Sequence, residues 1–437
     1  MPDTPFRLPL YLPAQGAAET EATIIEWRVA EGDRFAKGEV LAQIDSAKSV
    51  YDFEAPCAGL VLRRFHIEGD TVQLADAVLE IETADPAMRD WLAPPAASEA
   101  PALRVVSESA PPAPDNQRGV AILGVGGYLP PRVVANSDLI RDGHDITDDY
   151  IYQVTGIRRR HWADDDERPS GMAYKAALEA VRRSGVAAKE IDAVIVATTT
   201  PDVAIPSTAS ILQDRMNLQT VPAFDLNAAC CGWLYAVSMA RGMVLSGMAR
   251  NVLTVGVELQ SRLVDPSDRN AYFLFGDGAG AAIIGQGTRH RIHQAVLGAD
   301  TRGIAMARRE TPGYLVPNGH GDPWIRIDGH ALFRFAAESF SSIIGDVVAR
   351  TGWRPDEARW VFPHQANGRI LKAAAKRSGI DFGRFYLNIE NVGNTSSASI
   401  PLALAEAESH NRLQPDDKLV LCSVGAGMTT AALSVEW

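Results

Sequence analysis

Two stretches near the N-terminus carry one pattern, and that repeat limits the fold more than any other feature of the chain. Arg28 to Asp45 reads RVAEGDRFAKGEVLAQID, and Phe65 to Glu82 reads FHIEGDTVQLADAVLEIE. Each sets Glu-Gly-Asp (Glu31-Gly32-Asp33 and Glu68-Gly69-Asp70) after a short β-like run, then continues into a strand of alternating apolar residues. The glycine suits a tight turn. Two copies of one strand–turn–strand unit predict a small all-β domain over residues 6–84, two sheets packed face to face with pseudo-twofold symmetry. Between the copies lies Asp45-Ser46-Ala47-Lys48-Ser49-Val50. This polar stretch between strands reads as a hairpin tip, with Lys48 exposed at its apex. A solvated lysine is ordinary; its place midway between two repeats is what marks it.

Residues 85–118 are rich in Pro, Ala and Ser with little apolar periodicity, which predicts a semi-extended tether. Trp91 and Leu92 are the exceptions and read as docking residues. From 119 to 437 the pattern changes. Strand-like runs (Ala193 to Thr200, Asn251 to Leu259, Lys418 to Gly425) alternate with helix-like runs (Met172 to Ser184, Cys231 to Leu245). That alternation predicts an α/β fold with helices on both sides of mainly parallel strands. With 46% apolar and 22% charged residues the chain can bury a large core. Its formal charge of −12, with no block of Lys or Arg, points away from nucleic acid. No apolar run approaches the ~20 residues that cross a bilayer, and the start MPDTPFRLPLYLP lacks the basic-then-apolar pattern of a secretory signal. Four cysteines, Cys57, Cys230, Cys231 and Cys422, are too few for a disulfide scaffold, so a reducing cytoplasm is the expected compartment. No metal site is expected.

Three separated features of the second domain carry chemistry. In Phe224-Asp225-Leu226-Asn227-Ala228-Ala229-Cys230-Cys231-Gly232-Trp233 a β-like run ends in small residues, and a helix-like segment begins at the cysteines. A thiol at a helix N-terminus feels the positive end of the dipole, which predicts a lowered pKa and a nucleophilic thiolate. A pair of buried, inert cysteines is the alternative. In Phe362-Pro363-His364-Gln365-Ala366-Asn367, the proline keeps residue 362 extended and sets His364 where a strand gives way to a helix. Val392 to Ser399 is rich in turn and cap formers and puts Asn394 on a loop. A Cys, a His and an Asn at three strand ends form a workable acyl-transfer set if they converge. Gly276 to Gly280, within FGDGAGAA, reads as a tight structural turn under the core and not as a phosphate loop.

With these residues in view, the first domain resembles the biotinyl/lipoyl attachment domain, through its Glu-Gly-Asp turns, its central Lys48 and Glu54-Ala55-Pro56. The resemblance implies a cofactor amide-linked to Lys48. Ala47 and Ser49 stand where the biotin version has methionines, which favours lipoate over biotin. Residues 119–437 resemble β-ketoacyl-acyl-carrier-protein synthase III, a thiolase-fold condensing enzyme, in DLNAACCGW, HQAN, VGNTSSAS, FGDGAGAA, VTGIRRRH and the terminal GAGMTTAALSVEW. That implies duplicated mixed sheets with helices in layers, in halves of about 119–290 and 291–437, and a homodimer. It places the nucleophile on Cys230, the hydrogen-bond donors to a malonyl thioester on His364 and Asn394, and the oxyanion hole on the backbone N–H groups of Cys230 and Ala426. The implied reaction is decarboxylative Claisen condensation of acyl-Cys230 with a malonyl thioester. Two other readings stay open: acyl transfer without decarboxylation to an oxygen, nitrogen or small-molecule acceptor, and a non-catalytic scaffold subunit.

The resemblance also fixes what differs. The family's Trp and Arg for coenzyme A fall on Tyr150 and Val154; a valine cannot pair with phosphate, which disfavours a free acyl-CoA primer. The acyl-pocket Phe, contributed across the dimer, falls on Ile205. Basic docking positions for an acyl carrier protein fall on Arg334, Arg369, Lys376 and Arg377. Residues 21–82 carry thirteen Asp/Glu against six Lys/Arg, so an acidic carrier would meet a basic mouth. The expectation that follows is an acyl group supplied on lipoyl-Lys48 by a thiamine-dependent 2-oxo-acid dehydrogenase, with the tether holding the arm at an effective concentration of about millimolar.

Overall fold

The two Glu-Gly-Asp turns leave the backbone least choice. Gly32 and Gly69 adopt φ of +94° and +91°, the left-handed region that glycine enters without steric penalty. Asp33 accepts the Ala30 N–H at 2.8 Å, and Asp70 accepts the Ile67 N–H at 3.0 Å. The glutamates cross over: Glu31 accepts the Arg64 N–H at 2.9 Å and Glu68 the Trp27 N–H at 3.0 Å. The backbone repeats the exchange, Gly32 N–H to Val61 O and Gly69 N–H to Ile24 O, both at 2.8 Å. Each repeat's turn is thus held by a strand of the other repeat.

The computed structural model describes residues 5–13, 21–46, 50–89, 119–140, 146–218, 220–269, 271–310 and 321–437. It divides into two compact units, Met1–Asp115 and Asn116–Trp437. The first holds β1 (Phe6–Tyr11), β2 (Glu21–Trp27), β3 (Arg34–Phe35), β4 (Val40–Ser46), β5 (Val50–Glu54), β6 (Gly59–Arg64), β7 (Thr71–Gln73) and β8 (Ala77–Thr83). They form two four-stranded sheets, β1-β8-β6-β3 and β5-β4-β2-β7. Leu10, Ile24, Leu41, Ile44, Leu79 and Ile81 are fully buried between them, each such side chain contributing about 1.5–3 kcal/mol. β4 and β5 pair antiparallel with Asp45 opposite Val50; Lys48 lies outside the described residues. So do Trp91, Leu92 and most of the expected tether. Its first residues are ordered: Asp85 caps a short turn over Pro86–Met88, Met88 is buried in this core, and Arg89 stacks on Phe6.

The second unit holds β9 (Gly119–Tyr128), the ribbon β10 (Val133–Ala135) with β11 (Arg159–His161), β12 (Ala193–Ala197), β13 (Ala223–Leu226), β14 (Asn251–Leu259), β15 (Asp277–Gly287), β16 (Arg291–Ala299), the ribbon β17 (Ala307–Arg308) with β18 (Arg326–Ile327), β19 (Trp360–Pro363), β20 (Lys418–Gly425) and β21 (Thr429–Glu436). Its helices are α1 (Asn136–Leu139), α2 (Asp148–Thr155), α3 (Pro169–Ser184), α4 (Thr208–Arg215), α5 (Gly232–Leu245), α6 (Gly329–Thr351), α7 (Gly368–Ser378), α8 (Ile389–Val392) and α9 (Ser399–Ser409). Among the described residues, none is long and apolar enough to cross a membrane.

One nine-stranded sheet runs β13-β12-β14-β15-β9-β16-β21-β20-β19. It corrects the expectation of mainly parallel strands. Only β12–β13, β12–β14 and β19–β20 pair parallel; the central strands β14, β15, β9, β16, β21 and β20 are joined antiparallel. Helix-strand alternation signals the outer parallel pairs, but strands that follow one another directly and pair, such as β20 and β21, carry no crossover helix.

FGDGAGAA is corrected as well. Asp277 onward is strand β15, not a turn. A Cβ on Gly280 would lie 2.7 Å from Pro401, and one on Gly256 of β14 would lie 2.5 Å from the Ser397 carbonyl. These strands are bare so that α9 and the turn before it can press onto the sheet, which lowers Asn394, Ser396 and Ser399 toward the ends of β14 and β20.

Candidate active site

The nucleophile turn follows β13. Ala229 sits at φ +48°, an uncommon conformation for a residue with a side chain, and its N–H is taken by Asn227 Oδ1 at 3.1 Å. A 3-10 turn over Ala229–Cys231 leads into α5. β20 and β21 clamp it: Ser423 Oγ donates to the Cys230 carbonyl and Thr429 Oγ1 to the Ala228 carbonyl, both at 2.9 Å. The two cysteines part here. Cys231 is buried and donates its thiol to the Thr429 carbonyl at 3.3 Å. Cys230 faces a cavity of about 2090 Å³, with Ser396 Oγ 3.6 Å from its sulfur.

His364 directly follows β19, and its N–H donates to Cys422 O at 2.7 Å. The buried amide of Gln365 fastens the loop, donating to Pro363 O and Tyr386 O and accepting from the N–H groups of Asn388 and Ile389. His364 is 1% exposed, with Nδ1 3.0 Å from Ser399 Oγ. Asn394 Oδ1 accepts the Ser396 N–H at 2.9 Å, which fixes the amide's orientation; its Nδ2 donates to Ala366 O at 3.3 Å. Cys230, His364, Asn394 and Ala426 line the same cavity.

The electrostatics overturn one expectation. Burial pushes the Cys230 thiol up to about 12, with the Cys231 thiol and the Glu258 carboxylate adding to the rise against a lowering contribution from Ser396. A helix dipole is worth about 0.3–1 kcal/mol, up to ~2 in partly buried sites. Cys230 is half-buried against the cavity, and even part of the ~3–5 units that full burial gives, at ~1.4 kcal/mol each, exceeds the dipole. Burial wins, and α5 itself begins only at Gly232. Burial also holds His364 down, at about 3, so its imidazole is neutral.

The other expected residues divide. Tyr150, Val154, Arg334 and Arg369 line the cavity; Lys376 and Arg377 do not, and stand exposed on the last turn of α7. Ile205 is 88% exposed and is not among the residues that line this cavity. Further cavity arginines escaped the sequence reading: Arg168, Arg262, Arg269, Arg308 and Arg309. Arg262 donates to the carbonyls of Asp164 and Glu167, and Arg309 to Pro323 O, so these bonds leave their charge in place. Also missed was Glu258, the one charged residue inside the apolar run of β14, which was the signal available. Among the described residues no cluster of three or more His, Cys, Asp or Glu is arranged for a metal ion.

A cavity with a thiol, a neutral imidazole and an oriented carboxamide on a nine-stranded α/β sheet defines a thiolase-fold condensing enzyme. Family profiles for "3-Oxoacyl-[acyl-carrier-protein (ACP)] synthase III" and its C-terminal part match residues 224–301 and 348–437. The β-ketoacyl-[acyl-carrier-protein] synthase III of Clostridium tetani is 39% identical over 330 residues, 73% of this chain and 98% of that protein; the Rhodobacter capsulatus protein of the same name is 38% identical over 321 residues, 72% and 98%. The solved synthase III of Thermus thermophilus superposes with a TM-score of 0.68 at 39% identity, covering 72% of this chain and 99% of that one. The priming β-ketosynthase of the R1128 polyketide pathway gives 0.69 at 32% identity, covering 73% and 96%. The chain belongs to the β-ketoacyl-[acyl-carrier-protein] synthase III family. A profile described as "Biotin-requiring enzyme" matches residues 9–83, so the enzyme carries a biotinyl/lipoyl attachment domain ahead of its catalytic domain.

Proposed function

We propose that the catalytic domain condenses an acyl group held on Cys230 with a malonyl thioester, releasing carbon dioxide and a β-ketoacyl thioester on an acyl carrier protein. The observation that carries this reading is the meeting of Cys230, His364, Asn394 and Ala426 in one arginine-rimmed cavity. Cys230 sulfur attacks the acyl thioester, and the backbone N–H groups of Cys230 and Ala426 hold the oxyanion. The malonyl thioester then enters. Its carbonyl oxygen accepts from Asn394, whose Oδ1 is already committed to the Ser396 N–H. It accepts also from His364 Nε2, which carries the proton when Ser399 donates to Nδ1. Loss of carbon dioxide leaves an enolate gripped by these donors, each worth about 3 kcal/mol. The enolate carbon attacks the acyl carbon, and Cys230 sulfur departs. The arginines suit the phosphate that a carrier thioester bears, with Arg334 and Arg369 at the mouth and Lys376 and Arg377 beyond it.

Ile205, solvent-exposed in the single chain, is read as a residue lent to a partner's acyl pocket in a homodimer. In sequence Lys48 lies between β4 and β5, which pair antiparallel with Asp45 opposite Val50, and a lysine between two such strands fits a lipoate amide. When bound, lipoate supplies a sulfur that carries acyl groups as thioesters. Intact mass of protein from a lipoylating host decides between lipoate, biotin and a bare Lys48. For the condensation, carbon dioxide release from a labelled malonyl thioester is measured with acyl donor present, together with the mass of the Cys230 peptide. Release that depends on an acylated Cys230 supports the reading; acylation with no release refutes it.

A further inference from the structure

Glu258 is the buried charge that this mechanism leaves unused. It is 0% exposed at the end of β14. Its Oε1 receives Ser396 Oγ at 3.2 Å and Ser397 Oγ at 2.9 Å; its Oε2 receives Thr199 Oγ1 at 2.7 Å, Thr200 Oγ1 at 3.1 Å and Gln260 Nε2 at 3.0 Å. Its partners are hydroxyls and amides, with no ion pair among the described residues. Ser396 has one hydroxyl proton and two neighbours that want it: the Glu258 carboxylate, and Cys230 Sγ at 3.6 Å. Ser396 is also held at φ +50°, which a side-chain-bearing residue adopts at a penalty.

We infer that Ser396 relays the thiol proton of Cys230 to Glu258, so that this buried carboxylate, and not His364, is the base that frees the nucleophile. The inference rests on the condensing reaction proposed above. Sγ–H gives its proton to Ser396 Oγ as Ser396 gives its own to Glu258 Oε1. The sulfur lone pair then forms the S–C bond to the acyl carbon. The donor's C–S bond breaks with its electrons on the donor sulfur, which takes a proton from water. Glu258 stays protonated through the acyl-enzyme stage. When the enolate forms the new C–C bond, Cys230 sulfur leaves with the electrons of its S–C bond. It recovers its proton from Glu258 through Ser396, and the cycle closes.

Charge accounting favours this route. Deprotonation by solvent would add a second negative charge beside Glu258 in a low-dielectric site. Transfer to His364 would create an imidazolium whose Nδ1 faces only the Ser399 hydroxyl. The relay moves the one charge already present. Burial raises the Glu258 pKa, which prepares it to accept. The titratable groups around the pair are Cys231, beside the nucleophile; Asp277, paired across the sheet with Leu259 and bound to Ser261 and Ala163; and His364 on the same cavity.

The test is the pH dependence of Cys230 alkylation by iodoacetamide, followed by peptide mass, since it reads the thiolate without acyl chemistry. Ser396→Gly removes the hydroxyl and suits the positive φ, so the fold is kept. Expected are a fall of at least tenfold at pH 7 and a profile that rises only at alkaline pH, with Glu258→Gln moving the same way. His364→Ala, which removes the competing base, follows the parent's profile. Difference infrared spectra of acylated against free enzyme show a protonated carboxyl that Glu258→Gln lacks. A Ser396→Gly profile matching the parent, a His364→Ala profile that drops as Ser396→Gly should, or no new carboxyl band overturns the relay. Malonyl-dependent carbon dioxide release by the parent enzyme tests the reaction itself, so a failure of the relay and a failure of the condensation are read separately.

Discussion

Gly425→Ala perturbs the nucleophile turn without touching any functional side chain. The added Cβ would lie 2.8 Å from Cys230 N, 2.8 Å from Thr429 Oγ1 and 3.1 Å from Cys231 N. Two of these are backbone atoms of the turn that β20 and β21 already clamp, so neither can swing aside. Restoring ordinary contact asks for a shift of about half an ångström in a close-packed interior. The displaced group includes the Cys230 N–H, a proposed oxyanion donor. Removing one such donor costs about 10²–10³ in rate, and a misplacement of about 1 Å can cost ~10²-fold. Single-turnover acylation of Cys230, quenched and read by intact mass, should therefore slow about 10- to 100-fold. The fold should lose about 1–3 kcal/mol, the range for overpacking. Acylation within twofold of the parent in a folded variant would refute the claim that β20 positions this N–H.

Four further outcomes are expected. Asn394→Ala should lower malonyl-dependent carbon dioxide release about 10²–10³-fold while a single-turnover assay still shows acyl-Cys230. Because His364 is neutral, with its pKa lowered by burial to about 3 from an ordinary 6.5, the condensation profile should show no imidazole inflection between those values. The same shift means the unfolded chain takes up that proton first as pH falls below 6.5. Stability present above that pH is then lost as pH drops toward 3, and thermal melts of His364→Gln should show a shallower loss over this window. Gly345→Ala lies at an exposed point of α6 where an added Cβ meets nothing within 4 Å. Denaturant titration should show a gain of about 0.5–1 kcal/mol.

What the sequence disclosed depended on whether the determining physics is local. The Glu-Gly-Asp turns were legible because a glycine at positive φ and an acid directly after it, taking the N–H three residues back, are local requirements, and Gly32, Gly69, Asp33 and Asp70 meet them. Cys230, His364 and Asn394 sit in motifs that name themselves. Strand direction was not legible, because β9, β15 and β16 are set by pairing partners far along the chain. FGDGAGAA misled for a related reason: Gly276 answers to Val392, and Gly278 and Gly280 to Leu402 and Pro401 of α9, all over a hundred residues away, and not to a bend of their own. The Cys230 thiol misled because a dipole can be read from a helix start, whereas burial cannot. Glu258 and Ser396 meet only in three dimensions.

The crossed glutamates of the attachment domain have one more consequence. Glu31 secures the strand that belongs to the second copy, and Glu68 the strand that belongs to the first. Neither copy owns the bonds that finish it. A fragment cut between them would lose the bonds that hold both turns, so the two copies are expected to melt together.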